Sequence, residues 1–132
     1  MKQTGTIPTT LGRLTAVESL SLGYNEGLHG TFPTQLGLLA GTSRIGLEHT
    51  GIGGTVPTWL GNLTSVVQLK MQNTFLSGSI PPDMSGLADN HSLQLFNVTG
   101  TDLTGTLAES LCLVAVFECG LDQLCGCNCS CP

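Results

Sequence analysis

Basic residues are few in this 132-residue chain: four Lys and Arg stand against nine Asp and Glu, for a formal net charge of −5. A nucleic-acid partner needs a basic stripe, and an anionic membrane surface attracts Lys/Arg clusters. Neither pattern is present. Aromatic residues make up only 5% of the chain, which excludes a base-stacking platform. The longest uninterrupted apolar run, Leu111 to Phe117, is far shorter than the ~20 residues that cross a bilayer. Met1 to Gly5 contain neither an apolar signal core nor a cleavage site. Catalytic signatures are missing as well: there is no Gly-x-Ser-x-Gly, no His-Glu-x-x-His and no phosphate loop. His29, His49 and His91 are scattered, and Glu48 and His49, as neighbours on a strand, should point apart. With no positioned acid, base or nucleophile, the chain is not read as an enzyme, and no cofactor is expected.

What the chain does have is 18 Gly, frequent Thr, and enough Leu, Ile and Val to build a single core rather than a disordered segment. These residues recur in phase. Gly5-Thr6-Ile7-Pro8 returns as Gly30-Thr31-Phe32-Pro33, Gly54-Thr55-Val56-Pro57 and Gly78-Ser79-Ile80-Pro81, with a worn copy at Gly105-Thr106-Leu107-Ala108. The four prolines are 25, 24 and 24 residues apart. Leu11, Leu36, Leu60 and Met84 follow them by three residues, and Leu14, Leu39, Leu63 and Leu87 by six. Next come the pairs Leu20/Leu22, Ile45/Leu47, Leu69/Met71 and Phe96/Val98, then Asn25, Thr50, Thr74 or Thr101. Leu28, Ile52, Leu76 or Leu103 closes each unit.

Alternation such as Leu69-Lys70-Met71 reads as a strand with one face buried. A period near 24 allows one solenoid coil that stacks its strand parallel to the next, because no coil can bury its apolar edge alone. The Gly-Thr-Ile piece should end at its Pro, which has no N–H for a ladder. The Thr-x-Leu-Gly that follows reads as a short helical turn, with Gly12, Gly37 and Gly61 expected to end it in a left-handed conformation. Ser85 replaces that glycine in the fourth copy. An Asn at the strand exit would bond neighbouring backbone, and the Thr found in three copies should form a weaker polar ladder. The first coil has one extra residue near Tyr24–Gly27 and the fourth has three near Asp89-Asn90-His91. Such insertions map to loops on one face. Trp59 should pack on the neighbouring coil.

The pattern Leu69-x-Met71-x-x-Thr74-x-Leu76-x-Gly78-x-Ile80-Pro81-x-x-Met84-x-x-Leu87 resembles the plant-type leucine-rich repeat over residues 5 to about 108. Thr in the Asn column and the cysteine-dense end are similar to leucine-rich-repeat proteins of diatoms and other algae. The resemblance implies an α/β leucine-rich-repeat solenoid, right-handed, with a parallel concave sheet and short helical turns on the convex side. It also implies a recognition module, such as a receptor ectodomain, inhibitor or adhesion protein, although no kinase motif occurs here. About four coils of 24 residues would occupy 1–108, without an N-terminal cap, and a cysteine-rich cap 109–132. The partner would be a protein or peptide, with a glycan as the alternative.

Concave-face positions implied by the resemblance are Ser19, Ser21, Tyr24, Arg44, Glu48, His49, Gln68, Lys70, Gln72, Leu95, Asn97 and Thr99. Of these Tyr24, Arg44, Glu48, His49, Gln68, Lys70, Gln72 and Asn97 are the candidate ligand contacts. Tyr and Arg are the residue types enriched at interface anchors. Thr6, Thr31, Thr55, Ser79 and Thr106 fall in one column, and stacking would align their hydroxyls about 4.8 Å apart. Such a ladder is the basis of an alternative reading as an ice-binding solenoid.

Four sequons mark Asn62, Asn90, Asn97 and Asn128 as candidate glycosylation sites, and a glycan on Asn97 would obstruct the concave face. Six cysteines crowd the last 21 residues: Cys112, Cys119, Cys125, Cys127, Cys129 and Cys131. An even count suggests disulfides in an oxidising compartment, hence an extracellular or cell-surface setting and a piece of a longer exported protein. Six cysteines permit 15 pairings, and Cys-x-Cys neighbours are poorly placed to bond each other. Thiolate metal binding by this tail is the competing reading. Intact-mass measurement without reduction separates the two: disulfides remove six hydrogens, one for each of the six cysteines, whereas free thiols or a bound metal would rule them out.

Overall fold

The computed structural model describes residues 4–89, 92–107, 109–112, 114 and 116–118. The strands are β1 (Thr4–Thr6), β2 (Ser19–Ser21), β3 (Gly27–Gly30), β4 (Arg44–Gly46), β5 (Gly51–Thr55), β6 (Gln68–Lys70), β7 (Phe75–Ser79), β8 (Leu95–Asn97), β9 (Asp102–Thr104) and β10 (Val116–Glu118). They form two parallel sheets, in the orders β2-β4-β6-β8-β10 and β1-β3-β5-β7-β9. Successive strands thus go to alternate sheets, as in a right-handed leucine-rich-repeat solenoid in which each coil adds one rung to each sheet. The first sheet is the concave one.

Stacking in the concave sheet is in register: Leu20, Ile45, Leu69 and Phe96 are successive Cα partners. Leu47, Leu69, Met71 and Phe96 are fully buried. The turn column is equally closed at Leu39, Leu63 and Leu87, whereas Leu14 in the first described coil is 51% exposed. Trp59 packs edge-on against Phe32 of the preceding coil, with centroids 6.2 Å apart at 86°.

The convex side carries 3-10 turns at Thr9–Arg13, Thr34–Leu38 and Thr58–Asn62, and a shorter one at Pro82–Met84 that runs into helix α1 (Ser85–Asp89). A second helix, α2, spans Glu109–Cys112. Each 3-10 turn starts at an extended Pro whose carbonyl accepts from the amide three residues on, as in Leu11 N–H to Pro8 at 3.1 Å. The expectation that Gly12, Gly37 and Gly61 end these turns left-handed is corrected. None has positive φ, and the turns close at Leu14, Leu39 and Leu63, with φ of −82 to −83°. What requires glycine is the distance between coils: a Cβ on Gly12 would overlap the Gln35 carbonyl, and one on Gly61 that of Asp83. Ser85 stands where that glycine would, and there the turn continues as an α-helix.

Left-handed glycines sit in the strands of the second sheet or directly after them instead. Gly5, Gly30, Gly54, Gly78 and Gly105 have φ between 76° and 96°. Thr6 and Thr31 lay their methyl groups on Gly30 and Gly54, where a Cβ would come within 3.0 and 2.8 Å. This sheet is staggered, which corrects the aligned hydroxyl ladder: Thr6 pairs with His29, Thr55 with Ser77 and Ser79 with Thr104. At the strand exits the polar side chains bond carbonyls of their own coil. Asn25 Nδ2 donates to the Leu22 carbonyl at 2.8 Å, and the hydroxyls of Thr50, Thr74 and Thr101 donate to the carbonyls of Leu47, Met71 and Val98 at 2.7–2.9 Å.

Two kinds of substitution test this packing, by urea unfolding. Leu47→Ala should cost about 2–5 kcal/mol through lost burial and a cavity. Gly54→Ala should cost about 1–3 kcal/mol through its positive φ and its contact with Thr31.

Candidate functional site

On one face of a strand, side chains recur every second residue, and neighbouring strands lie about 4.8 Å apart. The concave sheet therefore presents a grid whose rows are Ser19-Ser21-Gly23, Arg44-Gly46-Glu48, Gln68-Lys70-Gln72 and Leu95-Asn97-Thr99. Backbone bonds carry the rows past the strand ends: Leu47 N–H donates to the Lys70 carbonyl at 2.9 Å, and Met71 N–H to that of Asn97 at 2.9 Å.

Two glycines break the grid. Gly46 leaves a gap at its centre, and the Glu48 side chain folds back across Gly46 and Gly23, where a Cβ would fall 2.8 Å from Oε2 and 2.6 Å from Cδ respectively. The result is a depression of about 100 Å³ floored by Gly46 and lined by Ser19, Ser21, Arg44, Glu48, Gln68 and Lys70. Two of the four basic residues of the chain border it. Glu48 Oε2 and, one coil on, Gln72 Oε1 are buried without a hydrogen-bond partner. Buried acceptors left in this way cost stability until a donor reaches them.

Tyr24 and His49 stand apart from this depression. Both follow the strands in the left-handed conformation, with φ of 60° and 56°, and Asn73 repeats it at 55°. The turn at His49 sends its ring away from Glu48 and out to the rim. There it stacks on Tyr24, with centroids 4.7 Å apart and planes at 17°. Asn73 Nδ2 lies 3.3 Å from His49 Nε2, which accepts. Gly100 occupies the equivalent place in the next coil, where a Cβ would overlap Asn73 Oδ1. Beside this column a cavity of about 310 Å³ is lined by Glu26, His49, Thr50, Gly51, Asn73 and Phe75. Tyr24 is 64% and Phe75 67% exposed.

The candidates from the sequence thus divide into two groups: Arg44, Glu48, Gln68 and Lys70 around Gly46, and Tyr24 with His49 at the rim. Asn97 is buried, and its Oδ1 accepts from the Thr99 amide at 3.0 Å and hydroxyl at 2.9 Å. Asn62 is exposed at the end of a 3-10 turn. Asn90, Asn128 and all the cysteine side chains lie outside the described residues. Sequence reasoning missed Gly46, Asn73, Phe75 and Glu26. Asn73 was detectable, since it falls in phase with Tyr24 and His49, 24 residues after the latter. Among the described residues no group of three or more His, Cys, Asp or Glu could hold a metal ion.

No protein-family model matches the sequence, and none of the curated proteins does. Solved structures do match. A chain of the BIR3–SERK2 complex from Arabidopsis thaliana is 30% identical, with a TM-score of 0.84, over 99% of this chain and 69% of that one. The Arabidopsis receptor kinase HAESA, solved with the peptide hormone IDA and the co-receptor SERK1, is 29% identical, with a TM-score of 0.82, over 93% of this chain and 21% of that one. A plant ice-binding protein is 27% identical, with a TM-score of 0.81, over 92% of this chain and 39% of that one. The chain spans only 14% of the ectodomain of another Arabidopsis receptor kinase, GASSHO1/SCHENGEN3. Since the two-sheet stacking agrees with these structures and the 30% identity extends over more than two thirds of both chains, the protein belongs to the plant-type leucine-rich-repeat family.

Proposed function

We propose that the chain is a non-catalytic recognition module that binds a protein or peptide ligand on its concave face. The observation that carries this reading is the Gly46-floored depression. It sets two cations around a gap in an otherwise regular surface, together with the Glu48 carboxylate, whose buried Oε2 lacks a donor, as does Gln72 Oε1 one coil on. A ligand segment crossing the coils would place an acidic or carbonyl group between Arg44 and Lys70 and a donor over Glu48 and Gln72. Similarity to HAESA, a receptor solved with a peptide hormone and a co-receptor, supports a ligand of this kind. A glycan is the alternative ligand. Among the described residues no helix is long and apolar enough to cross a membrane. The extracellular or cell-surface setting is supported by the likeness to receptor ectodomains. Repeats over 1–108, a disulfide-bonded cap over 109–132 and a relationship to algal members belong to the same reading. The exposed amide of Asn62 makes it the best-presented of the described glycosylation candidates, while the buried Asn97 is held by Thr99.

Likeness to a plant ice-binding protein favours ice binding as a second reading. The stagger of the Thr column weakens it, because Thr6 faces His29 rather than Thr31 across the sheet.

Selection of a random-peptide library against the immobilised chain tests the first reading. Enriched peptides should bind Gly46→Leu, in which the depression is filled, about tenfold or more weakly. Arg44→Ala and Lys70→Ala should each weaken binding by roughly fivefold, and added salt should weaken it further. Peptides that bind Gly46→Leu as well as the wild type would reject the concave site. A thermal-hysteresis assay decides the second reading, which ends if no activity is seen.

A further inference from the structure

The Glu48 carboxylate occupies a slot that two glycines leave open. A Cβ on Gly46 would fall 2.8 Å from its Oε2, and one on Gly23 2.6 Å from its Cδ. Oε2 is buried there without a hydrogen-bond partner, although Arg44 and Lys70 border the same depression. A carboxylate oxygen shut away from both water and donors destabilises a chain more than a neutral acceptor would. Gln72 repeats the deficit one coil on, where its Oε1 is also buried and unpartnered. Gly46 pairs with Lys70, and the His49 amide donates to the Gln72 carbonyl at 3.0 Å, so Glu48 and Gln72 are level on adjacent rows. Glu48 as a whole is only half-buried. Rotation about its own side-chain bonds is therefore enough to bring the carboxylate out beside Gln72, with no movement of the sheet.

We propose that Glu48 is drawn out of this slot by a peptide that carries an acidic and a basic side chain at positions i and i+2 of an extended segment. Resting on the peptide-binding reading, this adds the charges of the ligand and their spacing. Once extended, Glu48 stands one pleat beyond Gly46, about 7 Å along the strand. The same distance separates i and i+2 on one face of an extended peptide. The basic group donates to the Glu48 carboxylate and to Gln72 Oε1, which gives both acceptors the donor they lack. The acidic group enters the space that Glu48 has left, between Arg44 and Lys70. Each half needs the other: an acid alone leaves Glu48 in the slot and is repelled by it, whereas a base alone meets two cations. Adjacent acidic and basic residues would point to opposite faces of the ligand, and only one could reach the sheet.

The test is an NMR titration of the full chain at physiological salt, following Gly46, Glu48 and Gln72, with three capped pentapeptides: Gly-Asp-Gly-Lys-Gly, Gly-Asp-Gly-Gln-Gly and Gly-Gly-Asp-Lys-Gly. Saturable shifts are expected with the first, at an affinity about tenfold above the other two. In Glu48→Gln the advantage of Lys over Gln in the ligand should shrink to about twofold or less, as a double-mutant cycle requires of a direct pair. Glu48→Gln should unfold at no lower urea concentration than the wild type, so a change in affinity will not reflect a damaged fold. Equal binding of the peptide with adjacent Asp and Lys overturns the proposal, as does a Lys advantage that persists in Glu48→Gln. An absence of saturable shifts overturns it too. If library peptides nevertheless bind and depend on Gly46, the concave reading survives that loss; if the library enriches none, both fall.

Discussion

Every feature of this protein depends on the fact that one coil cannot bury its own apolar edge. Leu20, Ile45, Leu69 and Phe96 are sheltered only because each lies against its counterpart one turn away. Stability is thus distributed among coil–coil interfaces instead of being concentrated in one centre. The spacing of those interfaces is set by backbone hydrogen bonds in two parallel sheets, and side chains must fit that spacing. Glycine at 12 and 61 satisfies it by having no Cβ to meet the next coil's carbonyl. In the second sheet, glycine at 30 and 54 both adopts the positive φ and receives a methyl group from the coil before.

Stacking at constant spacing has a functional consequence. It carries the variable positions of each coil into rows and columns, so an exception in one coil becomes a shape on the surface. A single missing side chain at Gly46 opens a depression that Arg44, Lys70 and Glu48 surround. A single extra residue in the first coil brings Glu26 to the wall of a cavity shared with Phe75 two coils later. The core tolerates both exceptions, since each lies on an outward face or in a loop and leaves the apolar columns in phase.

The left-handed column shows how a local backbone choice sorts side chains between two surfaces. Glu48 and His49 are sequence neighbours, yet one lies folded over the concave grid and the other stacks on Tyr24 at the rim. The positive φ at His49 turns its ring to the rim, where strand alternation would have pointed it to the face opposite Glu48. Asn73 tolerates this conformation readily because of its short polar side chain, and Gly100 without strain. Tyr24 and His49 have neither advantage, so their conformation has to be held by neighbours, through the Tyr24–His49 stack and the bond from Asn73.

The period near 24, the apolar pairs and the recurring Gly-Thr-Ile-Pro were enough to determine a stacked parallel solenoid, because burial of aliphatic columns is a property of sequence phase alone. The same phase placed Arg44, Gln68 and Lys70 on the concave face and Trp59 against its neighbouring coil. The reasons for particular glycines were not legible: Gly12 and Gly61 are needed for a close approach across coils, and sequence does not state how near the next backbone lies. Nor could the stagger of the second sheet be read, since it fixes which residue of one strand faces which of the next. The division of the candidate contacts between a Gly46-floored depression and an aromatic rim was decided only in three dimensions. Each arises where groups from successive coils meet, and the backbone angle at His49 sends its ring to the rim.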